Sequence, residues 1–382
     1  MITKETKDKP MYIVLNNGKD LETDLITHYL SNNSLANKNN QEKDGVVFNN
    51  FWQPIADAIQ NKTTIYTVLG GVYNNINLGT IYNPNTGKYL SEELDIRIIN
   101  SGKSFVQNQN KSTLKNTKQT ATLLGNPNFN ANLKQKTTNY LYAISRDFTP
   151  YLSDEFKDTL SRSVAANALP GTKTEVENIG KLMRENKWET FVLLDTLATK
   201  TQLKNVNNPR VLHLATHGYF VNNTKLKKAD GLQYLGMEKK VVADNPLLRS
   251  GLLLAGANKT LQGDSTPTND NGIFTAYEAS FLNLNQTELV VLSACETGKG
   301  DIKTGEGVYG LRKSFADAGA KNIIISLWAV DDDVTQQFMT NFYTLWLNEL
   351  SIKDAFTQTQ NQIKQKYPLP YYWGGFILIE NN

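Results

Sequence analysis

Two apolar runs narrow the folds open to this chain. Arg210-Val-Leu-His-Leu-Ala-Thr-His-Gly218 and Glu288-Leu-Val-Val-Leu-Ser-Ala-Cys-Glu-Thr-Gly-Lys-Gly300 each carry a strand-length stretch of aliphatic residues and stop at a small-residue turn. A strand apolar on both faces belongs in a parallel sheet with helices on both sides, not in a sheet with one wet face. Sheets of that kind gather their functional groups beyond the carboxyl ends of the strands. The first run ends in His217-Gly218, and the second ends in Cys295, the only cysteine of the 382 residues. A base and a nucleophile delivered to one sheet edge make a cysteine peptidase the leading reading.

The flanking sequence supports an α/β fold. From Thr120 onward strands are predicted at 121–125, 190–194, 211–216, 322–330 and 373–380, and helices at 172–185, 201–206, 275–282, 305–318, 334–347 and 353–366. Strands alternating with helices imply a mainly parallel sheet flanked by helices. Upstream, short strands are predicted at 63–69, 76–82 and 94–99, after a helix over 48–60 in which Pro54 is tolerated only near the start. A run of Lys, Asn, Gln, Ser and Thr with almost no apolar residue separates the two regions. The division is therefore an N-terminal subdomain over 1–110, a linker over 111–119 and a peptidase domain over 120–382.

Composition narrows the function. Lys plus Arg number 40 against 37 Asp plus Glu, and no long basic run stands out, so direct nucleic-acid binding is not expected. One cysteine forbids an intrachain disulfide and a multi-cysteine zinc site, which fits a reducing compartment. Neither a signal-peptide core nor a membrane-length apolar run is visible, so a cytoplasmic protein without membrane contact is expected. No metal and no cofactor are needed for the chemistry proposed.

A thiol attacks as its thiolate and needs a nearby histidine or helix N-terminus to form it. Cys295 precedes Gly298, Gly300, Gly305 and Gly307, where backbone N–H groups can approach a carbonyl without Cβ interference. Against this, a lone cysteine at a strand end is more often core than catalytic. His213 and His217 share a strand face, and alternation alone does not choose between them. Position at the strand's carboxyl end chooses His217, leaving His213 as a hydrogen-bonded core histidine, while His28 has no visible partner in the sequence. Asp331, Asp332 and Asp333 follow the strand predicted at 322–330. Helix capping is their ordinary role, but at that edge a carboxylate could also receive a Lys or Arg side chain of a substrate.

His-Leu-Ala-Thr-His-Gly together with Leu-Ser-Ala-Cys-Glu-Thr-Gly, Leu169-Pro-Gly-Thr-Lys-Thr-Glu-Val176 and Tyr371-Tyr-Trp-Gly-Gly-Phe-Ile-Leu-Ile379 resembles the CHAT family of caspase-like and separase-like peptidases. Phe51-Trp52 and the stretch 73–82 resemble the family's N-terminal half. The resemblance implies a caspase-haemoglobinase fold in which an inactive caspase-like N-terminal half packs on the active half. It implies a His217–Cys295 dyad, oxyanion contacts from the backbone of Gly218 and Cys295, and a substrate-pocket acid at Asp332. The dyad spacing of 78 (295 minus 217) exceeds the roughly 50 of caspases, and their Gln-Ala-Cys signature is absent, so caspase-type Asp specificity is not expected.

These readings converge on an endopeptidase that cleaves a dedicated protein substrate after Lys or Arg and is kept latent until triggered by a sensor or activating protein. Self-processing is expected in 107–119 or 221–272, both of which carry lysines. The resemblance permits a place in bacterial defence, with a gasdermin-like or CRISPR-associated partner. The alternatives are a non-catalytic caspase-like scaffold and a redox-sensing thiol, neither of which needs a base followed by a glycine.

Overall fold

The computed structural model describes residues 2, 6, 9–35, 45–59, 62–108, 118–133, 166–220, 233–234, 237–238, 246–261, 270–293, 306–328 and 330–381. Cys295, most of the expected linker and much of the expected processing loop at 221–272 lie outside the described residues.

The frame is an eight-stranded sheet. In chain order its strands are β1 (Thr64–Thr67), β2 (Asp95–Ile99), β3 (Thr120–Pro127), β4 (Glu189–Asp195) and β5 (Val211–Ala215). A three-stranded sheet at one edge holds β6 (Gly218–Phe220), β7 (Ser250–Leu253) and β8 (Ile273–Thr275). The main sheet then continues through β9 (Leu289–Leu292), β10 (Asn322–Ser326) and β11 (Phe376–Glu380). Its spatial order is β1-β2-β11-β10-β9-β5-β3-β4. All neighbours are parallel except β10 and β11. The strands from the first 110 residues extend this same sheet, with β2 pairing with β11.

The long helices among the described residues are α1 (Pro170–Glu185), α2 (Glu306–Asp317), α3 (Asp332–Leu347) and α4 (Ile352–Lys366). Helices α3 and α4 are joined by only four residues and return the chain to the carboxyl end of β10. The last strand must therefore run backwards, and Phe376 pairs with Ser326.

Strand alternation sorts the core into two layers. Val211, Ala215, Leu289, Val291 and Ile324 face one layer with Val176, Phe338, Met339 and Phe342 of α1 and α3. Leu212, Leu214, Val290, Leu292 and Ile325 face the other with Leu311 and Phe315 of α2 and with Tyr29, Phe51 and Trp52 from the N-terminal region. Each of these large side chains contributes about 1.5–3 kcal/mol by its burial.

One expectation fails locally. The strand expected over 76–82 is replaced by 3-10 turns at Gly71–Asn75 and Leu78–Thr80, with a two-residue strand at Tyr82–Asn83. The Asn77 side chain accepts from Gly79 N at 3.0 Å and donates to Gly374 O at 2.8 Å. Such side-chain bonds to backbone compete with a sheet ladder. The Trp-Gly-Gly stretch owes its glycines to close packing, since a Cβ at Gly375 would overlap the Val330 side chain. No helix among the described residues is long and apolar enough to cross a membrane.

Candidate active site

His217 lies two residues beyond β5, immediately before β6. Its backbone is held by β7, where Leu253 N donates to His217 O at 2.9 Å and the Thr216 hydroxyl donates to Leu253 O at 2.5 Å. The imidazole is 7 % exposed and packs against the Phe129 ring at 5.3 Å. Its Nε2 is 3.0 Å from the carbonyl oxygen of Asn167. A carbonyl only accepts, so Nε2 carries the hydrogen, and in the neutral ring the lone pair is then on Nδ1.

The segment that supplies this carbonyl is itself anchored. Asn258, 2 % exposed, accepts from Ala166 N at 2.8 Å and donates to Ala166 O at 3.1 Å and Asn130 Oδ1 at 2.9 Å. Phe129 and Ala166 join Tyr219, Leu253 and Ile273 in a small apolar cluster of their own. Three residues after Asn167, α1 begins at Pro170, and Thr172 ties its first turn to β3 by accepting from Asn126 N at 2.8 Å.

His213 has a different environment. It points into the layer under α1 and α3 and is fully buried, with Nε2 at 2.9 Å from Glu175 Oε1 and Nδ1 at 3.1 Å from the Tyr343 hydroxyl. Burial, then the Glu175 charge, pushes Tyr343 well above the usual phenol range. His28 bonds Asn32 at 3.1 Å in the N-terminal region.

The three aspartates divide. Asp331 is the N-cap of α3, accepting from Asp333 N at 3.1 Å and Val334 N at 3.2 Å. Asp333 is exposed on the first turn. The Asp332 carboxylate lies against Gly171 of α1, where an added Cβ would stand 3.1 Å from Asp332 Oδ2. Burial, then the charges of Asp331 and Asp332 among others, raises Tyr371 above its ordinary value, which sets the aspartates beside the Tyr371-Tyr-Trp-Gly-Gly stretch. The short segment 167–171 therefore touches His217 at one end and Asp332 at the other, a span of at most about 14 Å.

Strands β5 and β9 are in parallel register with His213 opposite Val291 and Leu214 opposite Leu292, an offset of 78 (291 minus 213). The bond from Ser293 N to Leu214 O at 3.1 Å carries this register past the end of β9. Gly218, the first residue of β6, pairs with Leu252. No group of three or more His, Cys, Asp or Glu among the described residues is placed to hold a metal ion.

Sequence reasoning missed Asn167, Phe129, Asn258 and the partners of His213. Asn167 acts through a carbonyl, which every residue type possesses, and Asn258 is hidden in an Asn-rich sequence.

A family model described as the CHAT domain matches residues 44–381. The chain is also similar to tetratricopeptide repeat protein 28 of Homo sapiens, at 31% identity over 109 residues, and of Mus musculus, at 30% over 109 residues. Each match covers 28% of this chain and 4% of the relative, so the chain spans only a small fraction of the length of the curated relatives it matches.

Proposed function

The chain belongs to the CHAT family, a caspase-like family related to cysteine peptidases, and on that premise we propose that it is a cysteine endopeptidase working through His217 and Cys295. The observation that carries the reading is the register of β5 and β9. Its offset of 78 equals the separation of His217 from Cys295 in the sequence, which supports pairing the two as base and nucleophile. Adjacent parallel strands are about 4.8 Å apart, a spacing that side chains readily bridge.

In this reading His217 Nδ1 takes the proton of the Cys295 thiol while Nε2–H stays bonded to the Asn167 carbonyl, which orients the ring and stabilises its cationic form. The thiolate attacks the peptide carbonyl, and the Gly218 and Cys295 N–H groups receive the negative charge that forms on its oxygen. Collapse breaks the C–N bond, the amine leaves with the proton from His217, and water then hydrolyses the thioester. Asp332 is the selector for Lys or Arg before the scissile bond, as its position one short segment away from His217 supports. The substrate is a dedicated protein, and a sensor or activating protein controls cleavage in the cytoplasm, in a setting such as bacterial defence.

The test is covalent capture. A peptidyl acyloxymethyl ketone ending in Arg is expected to add one label, on Cys295, in the native chain, and labelling should fall sharply in His217→Ala. Equal labelling of a folded His217→Ala chain would contradict the dyad.

A further inference from the structure

The mechanism leaves unused a buried polar triad, Glu175–His213–Tyr343, that joins three elements. His213 on β5 is 0 % exposed, Glu175 on α1 is 2 % exposed and Tyr343 on α3 is 0 % exposed. His213 Nε2 is 2.9 Å from Glu175 Oε1, which accepts from it, and Nδ1 is hydrogen-bonded to the Tyr343 hydroxyl at 3.1 Å, so both ring nitrogens are satisfied by side chains from separate helices. A core otherwise built of Val, Ile, Phe and Met gains little stability from such a group. Replacing buried polar or ionic networks by well-packed apolar residues is often neutral or favourable. What the triad fixes is relative position.

The three elements joined are those that build the candidate site. β5 carries His213 and leads into His217 two residues past its end. α1 begins three residues after the Asn167 carbonyl that holds His217, and its first turn carries Gly171, against which Asp332 packs. α3 begins at Asp332. A shift of α1 relative to β5 would move the Asn167 carbonyl away from Nε2. A shift of α1 relative to α3 would move Gly171 away from Asp332.

We propose that Glu175, His213 and Tyr343 are positioning residues, a buried clamp whose hydrogen bonds hold α1 and α3 against β5 so that the Asn167 carbonyl keeps its place on His217 and Asp332 keeps its place against Gly171. Within Leu169-Pro-Gly-Thr-Lys-Thr-Glu175, several residues serve this arrangement. Leu169 O accepts from the Thr172 hydroxyl at 2.7 Å, Gly171 admits Asp332, and Glu175 reaches His213 one turn further on.

This inference rests on the peptidase reading, and the test separates the two. Cys295 is the only cysteine, so its rate of alkylation by iodoacetamide as a function of pH reports thiolate formation at one site. The native chain should show an activated thiol, with a midpoint well below the ordinary value of about 8.5. In Glu175→Leu, which cannot accept from His213, the midpoint should move up toward that value and cleavage of an Arg-ending fluorogenic peptide should fall about 10- to 100-fold, the cost of a misplaced group. Glu175→Gln, whose amide oxygen still accepts from Nε2–H, should restore both to within about threefold of the native chain, well inside the loss a misplaced group causes. A folded Glu175→Leu with the native alkylation profile would overturn the clamp, as would a Glu175→Gln no better than Glu175→Leu. If Glu175→Leu does not fold, Tyr343→Phe, which removes only a hydroxyl, should raise the midpoint in the same direction, and a native profile in that variant would overturn the clamp. An ordinary thiol in the native chain would remove the peptidase reading itself.

Discussion

At the scale of single residues, three successive aspartates with the same formal charge are held for different reasons. Asp331 satisfies two backbone N–H groups at the start of α3. Its replacement by Ala should therefore lower stability by about 1 kcal/mol, as removal of an N-cap does. Asp332 is exposed, and Gly171 gives it room against α1. Asp332→Asn should leave the melting temperature within a degree or two, since exposed surface changes are worth under about 0.5 kcal/mol, and should erase the preference for Lys or Arg in a fluorogenic peptide panel. An Asp331→Ala chain as stable as the native one, or an Asp332→Asn chain with its preference intact, would reverse these roles. The capping role was legible because Asp before a helical run has a specific local use. The Asn167 carbonyl was not, because an acceptor supplied by the backbone leaves no mark on residue type. Lys200 was equally hidden, since a lysine in a short helix reads as exposed, whereas here it is fully buried on Glu278 at 2.9 Å.

At the scale of elements, α1, α3 and α4 follow from helical periodicity, and β5, β9 and β10 follow from their aliphatic runs. The direction of β11 was not legible, because it is set by the α3–α4 hairpin rather than by anything within 376–380. The turn at Leu78–Thr80 was misread as strand because Asn77 bonds across 297 residues to Gly374. Distant packing also gives β2 a pH signature. Burial alone would raise Asp95, but the hydrogen bond from Arg97 at 2.8 Å and the charge of Lys353 on α4 at 3.2 Å hold it below the usual carboxylate range. A depressed carboxylate stabilises the fold above its unfolded value of about 3.9, and that contribution is lost as pH falls through the lower folded value. Asp95→Asn should thus melt slightly below the native chain at neutral pH, by under about 1 kcal/mol because the pair is a third exposed. The two melting curves should converge in strong acid, and a difference that persists or widens there would contradict the assignment.

At the scale of the molecule, one sheet organises everything described. Its two faces are buried under separate helical layers, and the strands from both ends of the chain meet at β2 and β11. The carboxyl edge of its parallel part then collects His217, the Asn167 carbonyl and the aspartates at the start of α3. That edge was legible as far as His217, because a strand apolar on both faces and ending in His217-Gly218 belongs in a parallel sheet with its polar groups at the carboxyl end, whereas Cys295 lies outside the described residues. How α1 and α3 are fixed above it was not legible, because Glu175 and Tyr343 are remote in sequence from His213 and sit in amphipathic helices as unremarkable residues. The most direct test of the peptidase account is a census of new protein N-termini by mass spectrometry after the purified chain is added to a lysate of its own source cells, which supplies the activating protein and the substrate. The account predicts cleavages, each following Lys or Arg, that appear with the native chain and vanish with Cys295→Ala. The same set of cleavages from a folded Cys295→Ala chain would contradict it.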